Sequence, residues 1–261
     1  MLTMMPSAPV LLVLVAAAEV ITSVVGLDCA FTPGPITASN DTAVTTVDCH
    51  KRQRDGVGLA DTTGNSTGVL VYLYNCITVP VGMFVNVNAG LSIVTVVSTK
   101  DTEILLEGTL KGLGNIAELR LEGFQTLRSL SNAVFRPLKN LERLILVGFG
   151  AQKLTYAELG AALYGLSGTP LSRIVMHEIH SQHNEKALNL TSLFLMQNVS
   201  VREFILSNNI ITSISGSLSR TLPDLNYICA GADAAYFSAI NAVLDACLFL
   251  QNIIVKNLSL R

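Results

Sequence analysis

The sequence contains no tryptophan, few charged residues and no excess of either sign of charge. Only 14% of its 261 residues are charged, and the formal net charge is -2 at pH 7. Binding to nucleic acid draws on clustered positive charge, so this balance carries no specific nucleic-acid signal and no long-range attraction to an anionic membrane. The basic run at residues 51–54 is interpreted as a solvated loop.

Signatures of metal binding and catalysis are also missing. No Cys-x-x-Cys occurs, and the Gly-x-Gly at residues 112–114 lacks the rest of a phosphate fingerprint. In the run His177-Glu-Ile-His180-Ser-Gln-His183 the histidines are three apart, whereas the zinc helix motif needs them four apart on one helical face. We predict that the protein is not an enzyme and needs no cofactor or metal. The histidines are interpreted as exposed polar positions after a strand, or alternatively as a pH-sensitive binding edge.

The N-terminus carries the one long apolar run. Residues 9–26 read PVLLVLVAAAEVITSVVG and follow a short polar start. This pattern predicts a signal peptide over residues 1–26, with an uncleaved signal anchor as the alternative. No second segment is apolar for long enough to span a bilayer. We therefore expect an extracellular protein, or one on the outer or luminal side of a plasma or endosomal membrane.

Glycosylation motifs and cysteines agree with this compartment. Five Asn-x-Ser/Thr sequons predict N-glycans at Asn40, Asn65, Asn189, Asn198 and Asn257. The cysteines are odd in number, and an oxidising compartment favours disulfides. Cys29 and Cys49 precede the repeats described below, and we predict that they pair. The other three cysteines, which are Cys76, Cys229 and Cys247, are expected to be small buried residues.

Internal periodicity is the strongest signal in the sequence. The leucine-rich repeat L-x-x-L-x-L-x-x-N-x-L appears most clearly as Val201-Arg-Glu-Phe204-Ile-Leu206-Ser-Asn-Asn209. Its Asn side chain is expected to bond the backbone where the chain leaves the sheet. The eight copies start at residues 67, 91, 116, 141, 171, 201, 225 and 255. In the first copy the two strand positions fall on Leu70 and Tyr72, followed by Asn75 and Ile77, and the last copy uses Val255, Leu258 and Leu260.

This repeat predicts an α/β leucine-rich-repeat solenoid with a parallel concave sheet and a disulfide-bonded N-terminal cap. The expected domains are the signal peptide over 1–26, the cap over 27–66, and about eight repeats over 67–261. Because the last repeat stops inside a strand, we expect a fragment, a truncated isoform or a partial gene product. The segment Leu159 to Leu166 is expected to form one or two helical turns.

A ligand face follows from the strand positions that point away from the core. The second, third, fifth and seventh pattern positions point to the concave side of a leucine-rich-repeat strand. The residues at these positions form the predicted ligand face, which consists of Glu118, Arg120, Glu122, Arg143, Arg173, His177, Arg202, Glu203 and Tyr227. The alternative is a solvated sheet whose opposite charges pair with each other, at little gain in stability.

Several segments resemble Toll-like receptor ectodomains. These are the frame Phe135-x-x-Leu138-x-x-Leu141-x-x-Leu144-x-Leu146, the step Gly165-Leu-Ser-Gly-Thr-Pro-Leu171 and the run at residues 200–211. The resemblance implies recognition of a microbial or endogenous ligand on the concave or lateral face, and signalling as a receptor dimer. The alternatives are a secreted leucine-rich-repeat binding or decoy protein, and a matrix or adhesion protein.

Overall fold

The computed structural model of the chain describes residues 41–49, 65–85, 87–99, 102–149, 154–179, 187–207, 209, 213–216, 221–231 and 252–256. The predicted signal peptide, Cys29, Cys247, Asn40, Asn257, residues 51–54, His180 and His183 lie outside these residues. Every structural statement below concerns the described part of the chain.

Nine parallel strands form the main sheet. In spatial order they are β1 (Thr42–Asp48), β2 (Gly68–Tyr74), β3 (Ile93–Ser98), β5 (Glu118–Glu122), β7 (Arg143–Val147), β8 (Arg173–His177), β10 (Glu203–Ser207), β12 (Tyr227–Gly231) and β13 (Asn252–Lys256). Each strand pairs with the strand of the next repeat, so the chain winds as a solenoid in which repeats touch only their neighbours. The predicted leucine-rich-repeat fold is confirmed.

The segments between the main strands carry shorter elements. Two small parallel sheets pair β4 (Ile104–Leu105) with β6 (Ser129–Leu130), and β9 (Ala187–Asn189) with β11 (Ser213–Ser215). The longest helix is α1 (Tyr156–Leu163), followed by a 3-10 turn over Tyr164–Leu166, and α2 (Leu190–Leu193) is one turn long. The helical turns expected between residues 159 and 166 are therefore confirmed.

Both faces of the helix α1 are explained by local chemistry. Thr155 caps its N-terminus by accepting the Glu158 N–H, and the Glu158 carboxylate accepts the Thr155 N–H in return. A Cβ at Gly160 would lie 1.9 Å from the Ser192 carbonyl oxygen, so only glycine lets α1 pack so closely against α2.

Register repeats at a nearly constant step. Gly68 pairs with Ile93, Ile93 with Glu118, and Glu118 with Arg143, each step being 25 residues. The next two steps, from Arg143 to Arg173 and on to Glu203, are 30 residues long. The longer steps leave room for α1 and α2, which lie in these two repeats.

The core alternates along each strand. The fourth and sixth pattern positions of the central repeats are almost fully buried: Leu119, Leu121, Leu144, Leu146, Ile174, Met176, Phe204 and Leu206. Phenylalanines behind the sheet complete this core, and Phe124 and Phe149 stack in a tilted arrangement with centroids 5.7 Å apart. Each repeat thus buries its apolar side against the next, which is why no repeat is stable alone.

The chain leaves the sheet through a left-handed residue after the strand. Gly123, Gly148 and Glu178 occupy the same place in consecutive repeats, with φ of 78°, 57° and 55°. Gly123 N–H donates to Val147 O, and Gly148 N–H to His177 O. A Cβ at Gly123 would lie 2.4 Å from the Ser98 carbonyl oxygen, so this turn requires glycine twice over, by conformation and by space.

The asparagine of the repeat pattern acts as expected in the clearest copy. Asn209 is 3% exposed, its Nδ2 donates to Met176 O at 2.8 Å, and its Oδ1 accepts the Ile179 N–H at 2.6 Å. In the copy at residue 91 a threonine takes part of this role, because Thr99 Oγ1 donates to Leu73 O. Where the position is Phe124 or Phe149, ring packing replaces the polar contact.

The predicted Cys29–Cys49 pair is wrong. Cys49 is bonded to Cys76, with 5.1 Å between their Cα atoms. Cys49 follows β1 and Cys76 follows β2, and because these strands are parallel and adjacent, both cysteines reach the same end of the sheet. The bond ties β1 to the sheet, so the solenoid is closed by a disulfide at its N-terminal end, as the fold class predicted. The buried thiol expected at Cys76 is instead half of this bond.

Two repeat frames also need correction. Register with the neighbouring strands puts Val69 and Val71 on the core side of β2, and places Leu70 and Tyr72 on the opposite face. In the last copy the strand is Asn252–Lys256, five residues earlier than the predicted frame around Leu258 and Leu260. Asn75 is exposed and donates to the Asp48 carboxylate, so it does not act as a buried repeat asparagine.

Candidate functional site: the outer face of the main sheet

The face of the main sheet opposite the core is the predicted concave face, and we call it the outer face. It consists of the third, fifth and seventh pattern positions of each strand. On β5 these are Glu118, Arg120 and Glu122, whose side chains are half-buried, while Leu119 and Leu121 between them are buried. The alternation therefore confirms the expected orientation of the polar residues on β5.

Most charges on the outer face pair with each other. Arg143 Nε lies 3.0 Å from Glu118 Oε2 on the neighbouring strand, and Arg173 Nε lies 3.3 Å from Glu203 Oε2. Arg120 contacts Glu122 on its own strand, at 2.6 Å from Nη2 to Oε2. These pairs are partly exposed, so each adds little to stability and serves mainly to fix the orientation of its side chains.

A buried apolar line runs through the same strands. At the fifth pattern position Ile145, Val175 and Ile205 are neighbours in register on β7, β8 and β10. Val175 is 0% exposed and Ile205 7%, while Ile145 is half-buried. The charged residues therefore lie beside an apolar strip instead of forming an uninterrupted polar surface.

His177 is less accessible than the sequence suggested. It lies on the outer face at the end of β8 but is only 9% exposed, and its Nε2 is 3.5 Å from Glu178 Oε1. The expectation of a solvent-exposed histidine is wrong at this position, because the strands on both sides pack against it in register at Val147 and Ser207.

The remaining predicted residues lie toward the C-terminal side of the outer face. Arg202 is exposed just before β10, and its carbonyl oxygen accepts the N–H groups of Asn226 and Tyr227. Tyr227 pairs in register with Glu203 and is half-buried. These two residues therefore extend the row that contains Arg173 and Glu203.

The N-terminal half of the outer face is almost uncharged, a feature that the sequence analysis missed. Its exposed apolar residues are Val44 on β1, 53% exposed, and Ile93 on β3, 39% exposed. Tyr72, Thr95 and Val97 are half-buried beside them. Correct framing of β2 is the signal that reveals this surface, since it moves Leu70 and Tyr72 from the core to the outer face.

Three predicted glycosylation sites have exposed side chains. Asn65, Asn189 and Asn198 are all exposed and lie outside the main sheet. Asn189 also caps α2, since its Oδ1 accepts the N–H groups of Thr191 and Ser192. A glycan attaches to the amide nitrogen, so this cap and a glycan are compatible.

Within the described residues, no group of three histidine, cysteine or acidic side chains could hold a metal ion. In the same part of the chain, no helix has the length and apolar character needed to cross a membrane. The Cys49–Cys76 bond indicates an oxidising compartment, as found along the secretory pathway and outside the cell.

Comparison with known proteins supports the fold. No protein-family model matches the sequence, and a search of the curated proteins finds no relative. Among solved structures, the chain is similar to human 5T4, also described as Wnt-activated inhibitory factor 1 or trophoblast glycoprotein. The TM-score is 0.51 and the identity 20%, and the match covers 80% of this chain and 75% of that chain. At this identity the likeness shows the shared fold.

Proposed function

We propose that the chain is an extracellular recognition ectodomain that binds a partner through the outer face of its main sheet. The observation that carries this proposal is the surface formed by exposed Val44 and Ile93 beside the ion-paired residues of β5, β7, β8 and β10. A protein partner suits a face that combines apolar area with oriented charges, since protein interfaces bury both. The three exposed sequons lie outside this sheet, so their glycans would leave the face open.

A glycan placed on the outer face tests this proposal. The double substitution Thr95→Asn with Val97→Thr introduces a sequon on β3, and Glu107→Asn introduces one in the exposed turn after β4, outside the main sheet. The secreted chain, made multivalent, is measured for saturable binding to cells of the source tissue. We expect the β3 glycan to abolish binding and the Glu107→Asn glycan to preserve it. Equal binding by both glycosylated variants would show that the outer face is not used.

As the finer assignment we propose pattern recognition in innate immunity, in a Toll-like receptor. It is supported by the frame from Phe135 to Leu146, whose five apolar residues are each buried in the core. The test is the transcript beyond the codon for Arg261. A downstream membrane span and Toll/interleukin-1 receptor domain are expected, and a stop codon directly after Arg261 would contradict the receptor assignment.

The alternative is a secreted binding or decoy protein, or a matrix or adhesion protein, using the same outer face. The fold likeness to trophoblast glycoprotein is compatible with this alternative. Binding to extracellular matrix that is lost with the β3 glycan, together with a stop codon after Arg261, would favour it over the receptor.

A further inference from the structure

Four charged residues form one row across the centre of the outer face. Glu118, Arg143, Arg173 and Glu203 are successive partners in register on β5, β7, β8 and β10. The order along the row is acidic, basic, basic, acidic. Adjacent strands are about 4.8 Å apart, so the two arginines are direct neighbours, and like charges directly opposite each other are destabilising.

Each arginine is held from its outer side only. Arg143 contacts Glu118 through Nε, and Arg173 contacts Glu203 through Nε. The Nη groups of both arginines make no contact with another described residue, and the side chains are 44% and 38% exposed. A guanidinium group has five N–H donors in a planar fork, so most donors of this pair remain available to a ligand.

We propose that Arg143 and Arg173 together bind one carboxylate from an acidic side chain of a protein partner. A planar guanidinium fork matches the two oxygens of a carboxylate, and an anion shared by both groups would relieve their mutual repulsion. Glu118 and Glu203 orient the two forks by holding their Nε atoms. This inference rests on the proposed use of the outer face for binding.

The surroundings favour a single carboxylate on a protein over a polyanion. Glu122 and Glu142 lie beside the row in addition to Glu118 and Glu203, so a chain of sulfates or phosphates would meet four carboxylates around two arginines. The apolar strip of Ile145, Val175 and Ile205 runs directly alongside, and it suits the apolar atoms of a peptide. A protein partner meets both conditions.

The site is tested by titrating the full chain, labelled with 15N-arginine, with sodium acetate and with sodium sulfate at matched ionic strength. The Nε–Hε signals of Arg143 and Arg173 are assigned from Arg143→Gln and Arg173→Gln. We expect saturable shifts of these two signals with acetate, and an acetate affinity at the remaining arginine about tenfold weaker in either variant. Arg136, exposed outside the main sheet, is the control. Shifts that do not saturate, or that Arg136 shares, would overturn the proposal, as would a clear preference for sulfate.

The cell-binding assay separates this inference from the proposed function. Arg143→Gln with Arg173→Gln is expected to weaken partner binding, and Arg136→Gln to leave it unchanged. If the double variant binds normally while the β3 glycan still blocks binding, the outer face is the binding face and the carboxylate site is refuted. If neither change affects binding, the proposed function fails as well.

Discussion

Asn209 shows how a single side chain can close the turn between two repeats. It is buried and bonds both Met176 O and Ile179 N–H, groups that lie 30 or more residues away in the chain. The repeat pattern predicted this role, because the asparagine falls where the chain must leave the sheet and backbone groups lose their ladder partners. The same position in other repeats holds threonine or phenylalanine, and only the structure shows which contacts replace the amide.

Removal of this amide is expected to be costly. Asn209→Ala leaves a carbonyl oxygen and an N–H buried without their partner, so the free energy of unfolding should fall by about 3 kcal/mol. Asn140 is exposed, and Asn140→Ala should change it by less than about 0.5 kcal/mol. Urea unfolding followed by circular dichroism measures both. Similar values for the two variants would mean that water replaces the Asn209 contacts.

The residues of the outer face were partly predictable. The third and fifth pattern positions correctly identified Glu118, Arg120, Arg143 and Arg173 as facing away from the core, because strand side chains alternate. The near-complete burial of His177 was not predictable. It depends on Val147 and Ser207 on neighbouring strands, which lie 30 residues away in sequence. Which charges pair with each other depends in the same way on register between repeats.

At the scale of a strand, the errors of framing have a physical cause. All residues of β2 from Val69 to Tyr74 are apolar or aromatic, so alternation gives no sign of which face is buried. A slip of one residue then moves every side chain to the opposite face, as happened for Leu70 and Tyr72. Pairing with β3, where Thr95 and Val97 are only half-buried, resolves the ambiguity.

The turn after each strand should tolerate side chains only where space allows. Gly123→Ala and Gly168→Ala both introduce a Cβ at positive φ, which costs about 1 kcal/mol. At Gly168 nothing lies within 4 Å of that atom, whereas at Gly123 it would clash with Ser98 O. We expect Gly123→Ala to be about 2 kcal/mol more destabilising than Gly168→Ala in urea unfolding. Equal losses would show that the Ser98 backbone moves aside freely.

The disulfide should stabilise the attachment of β1 to the sheet. The bond closes a loop with a sequence separation of 27 residues, so Cys49→Ala with Cys76→Ala should lower the free energy of unfolding by about 3 kcal/mol. The unsubstituted protein in reducing agent serves as the control and should approach the same value. Peptide mapping under non-reducing conditions should identify the Cys49–Cys76 link, and a Cys29–Cys49 peptide would contradict it.

At the scale of the whole molecule, stability passes from repeat to repeat through the continuous sheet and the core behind it. Because each repeat contacts only its neighbours, a defect in one repeat weakens the interfaces on both sides before it affects distant ones. The repeat step was visible in the sequence. The division of the outer face into an uncharged N-terminal half and an ion-paired half was not, since it needed the corrected frame of β2.

Two neighbouring residues on β7 allow this coupling to be tested. Leu144 is fully buried in the core, whereas Ile145 is half-buried on the outer face. Leu144→Ala should lower the free energy of unfolding by about 3 kcal/mol, and Ile145→Ala by about 1 kcal/mol. In hydrogen exchange, Leu144→Ala should reduce the protection of β5, β7 and β8 well before that of β2. Uniform loss of protection along the sheet would instead show that the solenoid opens as one cooperative unit, and that nearest-neighbour coupling does not limit its unfolding.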